Sequence, residues 1–318
     1  MPRIFRPIPG PTLETAVRPQ VPLMLSCNQG VVAKLLPTAG RNLSRLYTYP
    51  PRDGRTFGPK LACSGDGREL FALEPGAAPM RYNALAGDFV QLGSGRGEVN
   101  NLGGTVDIAL DRNGTLYGVK SGFGGDQMVY RVDLVDQQYF SLALAGRWQR
   151  DDDGTGGDLS VAVGPDGRIY VAARYQVLRM DDIFGRNLLS YGSFGSGSGQ
   201  FNVITSIAVD SQSRVVAGDY FNKRVVRFAF GEARWDVFTG GDAGLISAPA
   251  GVGVDTFQRV YVGVPSQNRV LRVDNFARGQ ATSFIFQSER ADAADYFPGP
   301  FDVVALDPEG DSPVPRPR

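Results

Sequence analysis

The sequence contains no histidine. That absence removes the usual general base at neutral pH, the Ser-His and Cys-His dyads, and the commonest transition-metal ligand. Cysteine is almost as scarce. Cys27 and Cys63 form neither a CxxC nor a metal-ligand spacing, and they read as small core residues, with a disulfide between them as the alternative. Lysine occurs at Lys34, Lys60, Lys120 and Lys223 alone, so 29 of the 33 basic residues are arginine. They balance 33 acidic residues, and a formal net charge of zero gives no global field toward nucleic acid or an anionic membrane. No apolar run approaches the ~18 residues of a membrane span. The opening stretch MPRIFRPIPGPTLETAVRPQ is broken by Pro2, Pro7, Pro9, Pro11 and Pro19 and makes a poor signal peptide. The expectation is a cytoplasmic or particle-associated protein with no membrane insertion.

Glycine and proline are plentiful, at 41 and 21 residues, and no long helical periodicity runs through the chain. That balance favours many short strands joined by turns. A repeat confirms the reading. LACSGDGRELFAL, IALDRNGTLYGV, VAVGPDGRIYVA, IAVDSQSRVVAG, VGVDTFQRVYVG and VALDPEG begin at Leu61, Ile108, Val161, Ile207, Val252 and Val304, spaced by 47, 53, 46, 45 and 52 residues. Six copies of strand, tight turn and strand, at the period of a four-stranded blade, predict a β-propeller.

Several columns of this alignment have physical content. Ala62, Ala109, Ala162, Ala208, Gly253 and Ala305 are small, as innermost strands converging on an axis require. Cys63, Leu110, Val163, Val209, Val254 and Leu306 are apolar and predict packing between blades. The D-x-x-G at Asp111–Gly114 and again at Asp307–Gly310 combines Asx-turn chemistry with a glycine that tolerates positive φ. Further on, Lys34, Arg81, Arg131, Arg179, Arg227 and Arg272 form a basic column, one per blade, suited to pairing with carboxylates or covering apolar surface with their stems.

The last copy stops after one strand, and its missing strands stand at the other end of the chain. LMLSCNQGVVAKLL at 23–36 parallels VYVGVPSQNRVLRV at 260–273, and RNLSRLYTY at 41–49 alternates like an outer strand. The N-terminal strands would pair with the C-terminal inner strand and close the ring, which removes two sheet edges. Residues 21–310 are then the propeller, flanked by a Pro-rich arm at 1–20 and a Pro-rich tail at 311–318.

Copies such as GSGSGQFNVITSIAVDSQSRVVAGDYFNKRVVRF resemble the NHL repeat, with its G-x-x-G-x-F linker and its IAVD, IYVAD and N-R-V-x-x-F strands. The resemblance covers 21–310 and implies an all-β, six-bladed propeller. It is weak evidence for function, because similar propellers serve as enzymes, RNA binders and protein-interaction platforms. Amidating lyases, streptogramin lyases and paraoxonase-like lactonases rely on histidines that this chain lacks. A gluconolactonase-like hydrolase, whose metal is held by Glu, Asp and Asn, is the enzymatic alternative.

Residues just before each inner strand should ring one channel mouth: Lys60, Asp107, Ser160, Ser206, Gly251 and Val303, with Asp302, Glu98, Asn100 and Asn101 nearby. The ring is too mixed for a hard-cation cage. A second candidate for metal is DDDGTGGD, where Asp151, Asp153, Thr155 and Asp158 resemble the start of a calcium loop, although Ala162 stands where the closing Glu belongs. Calcium is the one cofactor considered. Arg147, Trp148 and Arg150, and Tyr220, Phe221, Lys223 and Arg224, are the basic-aromatic groupings suited to interaction. An RNA-binding NHL-like propeller using these groupings is the second alternative, although nucleic acid is not the expected partner, and the small-molecule ligand is unknown. The leading expectation is a non-enzymatic module that binds proteins through loops and terminal arms within a larger assembly, such as a bacterial or phage particle.

Overall fold

The computed structural model describes residues 21–27, 31–35, 43–48, 58–93, 101–121, 127–144, 147–148, 159–240, 245–276, 278–285 and 300–306. The Pro-rich arm, the Pro-rich tail and the DPEG turn lie outside them. Six four-stranded antiparallel sheets form the blades of a propeller. From the inner strand outward, blade 1 is Lys60–Cys63, Leu70–Leu73, Met80–Asn83 and Asp88–Gln91, and blade 2 is Thr105–Leu110, Leu116–Ser121, Gln127–Asp133 and Gln138–Ala143. Blade 3 is Leu159–Val163, Ile169–Ala173, Gln176–Met180 and Leu189–Tyr191. Blade 4 is Ile204–Val209, Val215–Asp219, Arg224–Phe228 and Trp235–Phe238. Blade 5 is Val252–Val254, Val260–Val264, Arg269–Asn275 and Gln280–Ile285. Among the described residues no helix is long and apolar enough to cross a membrane.

Blade 6 takes its inner strand, Pro300–Ala305, from one end of the chain and its other three, Leu23–Cys27, Val31–Leu35 and Leu43–Thr48, from the other. Leu23 pairs with Ala305, Met24 with Val304 and Leu25 with Val303, and Leu306 N–H donates to the Pro22 carbonyl at 2.8 Å. Closure therefore follows the expected plan, with one correction. The sixth inner strand sits one residue earlier than the alignment places it. By its pairing, Ala305 is the counterpart of Leu110, Val304 of Ala109, and Asp302, not Val303, of Asp107. Val304 thus breaks the small column. On the facing blade, a Cβ added to Gly253 would stand 2.7 Å from the Val303 carbonyl oxygen, so glycine is what lets these two inner strands approach.

The alternation of each strand explains the packing. In an isolated sheet one face meets water, but here each blade has a neighbour on both faces, so inner strands are apolar at successive positions. Leu23, Leu25 and Cys27 turn toward blade 5 and join Tyr261 and Val270. Met24 and Val32 turn the other way, onto Leu61, Leu70 and Phe89 of blade 1. Four more such clusters fill the remaining blade boundaries. Cys27 is buried and Cys63 half-buried, and neither is in a disulfide.

Candidate functional site

All inner strands start at the same face, here called upper, because the chain enters each blade at its centre. The turns after them, and those between third and outer strands, lie on the lower face. A channel of about 220 Å³ runs between the inner strands, lined by residues such as Ala62, Ile108, Val161, Ile207 and Val303.

At the upper mouth the expected ring assembles, with Asp302 completing it. Its polar groups face the neighbouring blade as well as the channel. Asp107 Oδ2 accepts from Val161 N–H at 3.0 Å, Ser160 Oγ from Ile207 N–H at 3.0 Å, and Ser206 Oγ from Val252 N–H at 3.2 Å. Asp302 Oδ2 accepts from Leu61 N–H at 2.8 Å. Each donor is the residue that follows the ring position of the next blade, so four of the six blade boundaries carry the same latch. The two exceptions are explained by residue type. Gly251 has no acceptor, and a Cβ there would stand 2.5 Å from Asp302 Oδ1. Lys60 is a donor only, and its Nζ reaches blade 4, donating to the Thr205 carbonyl at 3.3 Å.

Blades 1 and 4 are opposite one another, so the Lys60 side chain crosses the mouth. Phe301 supports it, with Nζ 5.3 Å from the ring centroid. Asp107 and Asp302 stand close enough for their charges to act on each other. Burial, foremost, raises the Asp107 pKa above the ordinary carboxylate value; the Lys60 charge pulls it back and the Asp302 charge pushes it up. Among the described residues no group of three or more carboxylates or thiols could hold a metal ion. Asn101 uses its backbone carbonyl to accept from Lys120 Nζ. Glu98, Asn100 and the calcium-loop candidates Asp151, Asp153, Thr155 and Asp158 lie outside the described residues.

On the lower face the turn chemistry is as the sequence suggests. Asp111 Oδ1 accepts from the N–H groups of Asn113 and Thr115, each at 2.8 Å. Asp210 and Asp255 extend the device by an ion pair to the arginine four residues on, Arg214 at 2.7 Å and Arg259 at 2.6 Å. The Asp255 carboxylate also accepts from Tyr261 Oη at 3.0 Å, and burial together with that neighbouring charge raises the tyrosine pKa. In the basic column Arg81 pairs with Glu69, Arg227 with Asp236 and Arg272 with Asp274, while Arg131 and Arg179 lie over the rings of Phe140 and Phe230.

The two interaction groupings are placed differently. Arg147 Nε donates to the Ala143 carbonyl at 2.9 Å, and Trp148 packs against the core between blades 2 and 3; Arg150 lies outside the described residues. In the second grouping Tyr220 and Phe221 meet edge to face, and Phe221 and Lys223 are exposed on the turn between second and third strands of blade 4. Arg224 points inward. It pairs with buried Asp219 at 2.8 Å and donates to the carbonyls of Ser196, Gly197 and Gln200, clamping the linker from blade 3.

One feature of the lower face was not legible as a site. Leu85, Val135 and Phe184 are large apolar side chains standing in water on the third-to-outer turns of three successive blades, Leu85 and Val135 at the same position and Phe184 one residue later. The available signal was an Asn or Asp two residues before an apolar residue between third and outer strands, at Asn83, Asp133 and Asp182.

The geometry is that of a six-bladed β-propeller. No protein family matches the sequence, and no curated protein does. Solved structures do resemble the fold. The nidogen/laminin complex contains a chain 13% identical to this one, with 90% of this chain and 98% of that one covered and a TM-score of 0.63. A protein of unknown function from Bacteroides caccae is 10% identical over 91% of this chain and 99% of that one, at 0.62. Virginiamycin B lyase from Staphylococcus aureus, in a catalytically inactive histidine-to-alanine form with quinupristin, is 13% identical over 81% and 78%, at 0.54.

Proposed function

We propose that this chain is a non-enzymatic, NHL-like propeller that serves as a protein-interaction or structural module of a larger assembly, such as a bacterial or phage particle. The observation that carries the reading is the upper mouth. Its carboxylates and hydroxyls bond to backbone N–H groups of neighbouring blades, and Lys60 spans the entrance between blades 1 and 4. A metal-dependent hydrolase would need several of those oxygens free and convergent. The lyase neighbour is inactive in a histidine-to-alanine form, and this sequence has no histidine. A solved structure similar to this chain comes from a nidogen/laminin complex, which supports a partner-binding role for the fold.

Sedimentation of an untreated lysate or particle preparation tests this, with the chain located by mass spectrometry. Co-migration with a large particle is expected. Migration near 34.3 kDa in every preparation would refute it. Saturable divalent-metal binding, abolished in Asp107→Ala together with a hydrolytic activity, would replace it with the enzymatic reading.

A further inference from the structure

The exposed apolar residues of the lower face share one construction. In blade 1, Asn83 Oδ1 accepts from the N–H groups of Leu85 and Ala86 at 3.0 and 3.2 Å. In blade 2, Asp133 Oδ1 accepts from Val135 and Asp136 at 3.0 and 3.2 Å. In blade 3, Asp182 Oδ1 accepts from Phe184 and Arg186 at 3.0 and 3.3 Å. Each Asx turn fixes the backbone and aims the second residue after it into solvent. Leu85, Val135 and Phe184 are 101%, 89% and 68% exposed. Scattered single apolar residues on a surface are ordinary. Leu85 and Val135 hold one position of their turns, while Phe184 stands one residue later in its own, after buried Ile183; each is fixed by an Asx bond, and together they line three consecutive turns as an ordered row. Phe184 reaches the preceding blade, its ring 6.0 Å from that of Phe140.

Aromatic residues on the corresponding turns of the next two blades are covered. Phe230 lies against Tyr170 and beneath Arg179, and Phe276 is buried against Phe238 and Arg227. Among the described residues the row is confined to blades 1 to 3.

Its charge is one-sided. The three turns carry Asp88, Asp133, Asp136, Asp181 and Asp182 against Arg186 alone, and Asp182 already holds that arginine. Arg168 pairs with Asp181. Nearby, Arg81 is taken by Glu69, Arg131 lies on Phe140, and Arg147 is bonded to Ala143. The row therefore fits an extended segment that alternates apolar and cationic residues.

We propose that the occupant is the chain's own N-terminal arm, with Ile4, Phe5 and Ile8 on the apolar row and Arg3 and Arg6 beside the carboxylates. The sequence RIFRPIP has the required alternation and no acid before Glu14. Its prolines predispose it to an extended course with little ordering entropy to lose. The arm also begins on the correct face: it joins the propeller at Val21, beside the lower-mouth contact of Pro22 with Leu306, in the blade adjacent to blade 1. At ~3.1 Å per residue, the 16 residues from Phe5 to Val21 reach roughly 50 Å, against a radius of gyration of about 20 Å for a compact chain of this length. This goes beyond the module reading and stands or falls separately from it.

The test uses the full chain with the photo-crosslinker p-benzoylphenylalanine in place of Phe5. Adducts within one chain, mapped to 83–88, 133–138 or 181–186, are expected. Their yield should fall at least about tenfold in Leu85→Ser/Val135→Ser/Phe184→Ser, through loss of apolar contact. All three positions are exposed, so an unchanged melting curve separates this loss from misfolding. No adduct, adducts elsewhere, or a yield that the triple variant leaves unchanged would overturn the proposal. A product of doubled mass would overturn it in favour of the arm of a second copy.

Discussion

The Asp302 carboxylate accepts a 2.8 Å bond from the Leu61 backbone N–H, joining two residues 241 positions apart at the seam of the ring. The same carboxylate accepts from its neighbour Val303 N–H at 3.0 Å. Asp302→Ala leaves both buried donors without this acceptor, at about 1–3 kcal/mol for each. Urea unfolding should show the loss, with Asp302→Asn, which keeps one acceptor oxygen, destabilised less. Equal stability of wild type and Ala variant would mean that the seam is held by its apolar contacts alone.

Burial raises the Asp107 pKa, and this fixes the sign of its pH dependence. The folded state holds this proton more tightly than the unfolded chain, so the contribution is fully present below the unfolded carboxylate value near 3.9. It is lost as pH rises through the raised folded value. Carboxyl-carbon NMR should place the Asp107 midpoint above the ordinary range, and Lys60→Met should move it further up by removing the favourable charge. An ordinary or lowered midpoint would show the mouth to be wetter than described.

Cys27 is buried and its thiol is pushed up to about 12, whereas Cys63 is half-buried beside the lower channel. Iodoacetamide should modify Cys63 first in the native protein, with Cys27 slower by at least about a thousandfold, because the thiolate is the nucleophile. Comparable rates would indicate that the N-terminal strand of the seam opens readily.

Arg224 and Asp219 form a buried pair, with the guanidinium also holding three linker carbonyls. Arg224→Ala should cost about 3–5 kcal/mol, because it leaves an uncompensated buried carboxylate. Arg224→Lys should recover little, since a point charge cannot reproduce the fork. Calorimetric melting of the two variants decides this.

The blades were legible because strand alternation and the D-x-x-G turns are local, and a local pattern copied along a chain declares itself. Blade 6 shows the limit. No hairpin turn joins its inner strand to Leu23, so turn chemistry could not set the register, and the alignment slipped by one residue there. The pairing of Ala305 with Leu23 sets it instead. The latches were hidden for a similar reason: Ser160 reads as a channel-mouth residue, and its bond to the next blade appears only when Ile207, from the next copy, is brought beside it. Arg224, read as a surface group beside Phe221, turned inward because Asp219 at 0% exposure needed a partner.

The seam also sets an order of events during synthesis. Ser26 accepts from the Asp302 N–H, and 276 residues separate them. At 5–20 residues per second, roughly fifteen to fifty seconds pass between the emergence of one partner and the other. Throughout that interval the strand Leu23–Cys27 has an unpaired edge, apolar on both faces. Such an edge is a template for mispairing. For this protein the hazardous period is the time spent as an open ring on the ribosome, and it ends when the last strand, Pro300–Ala305, docks into place.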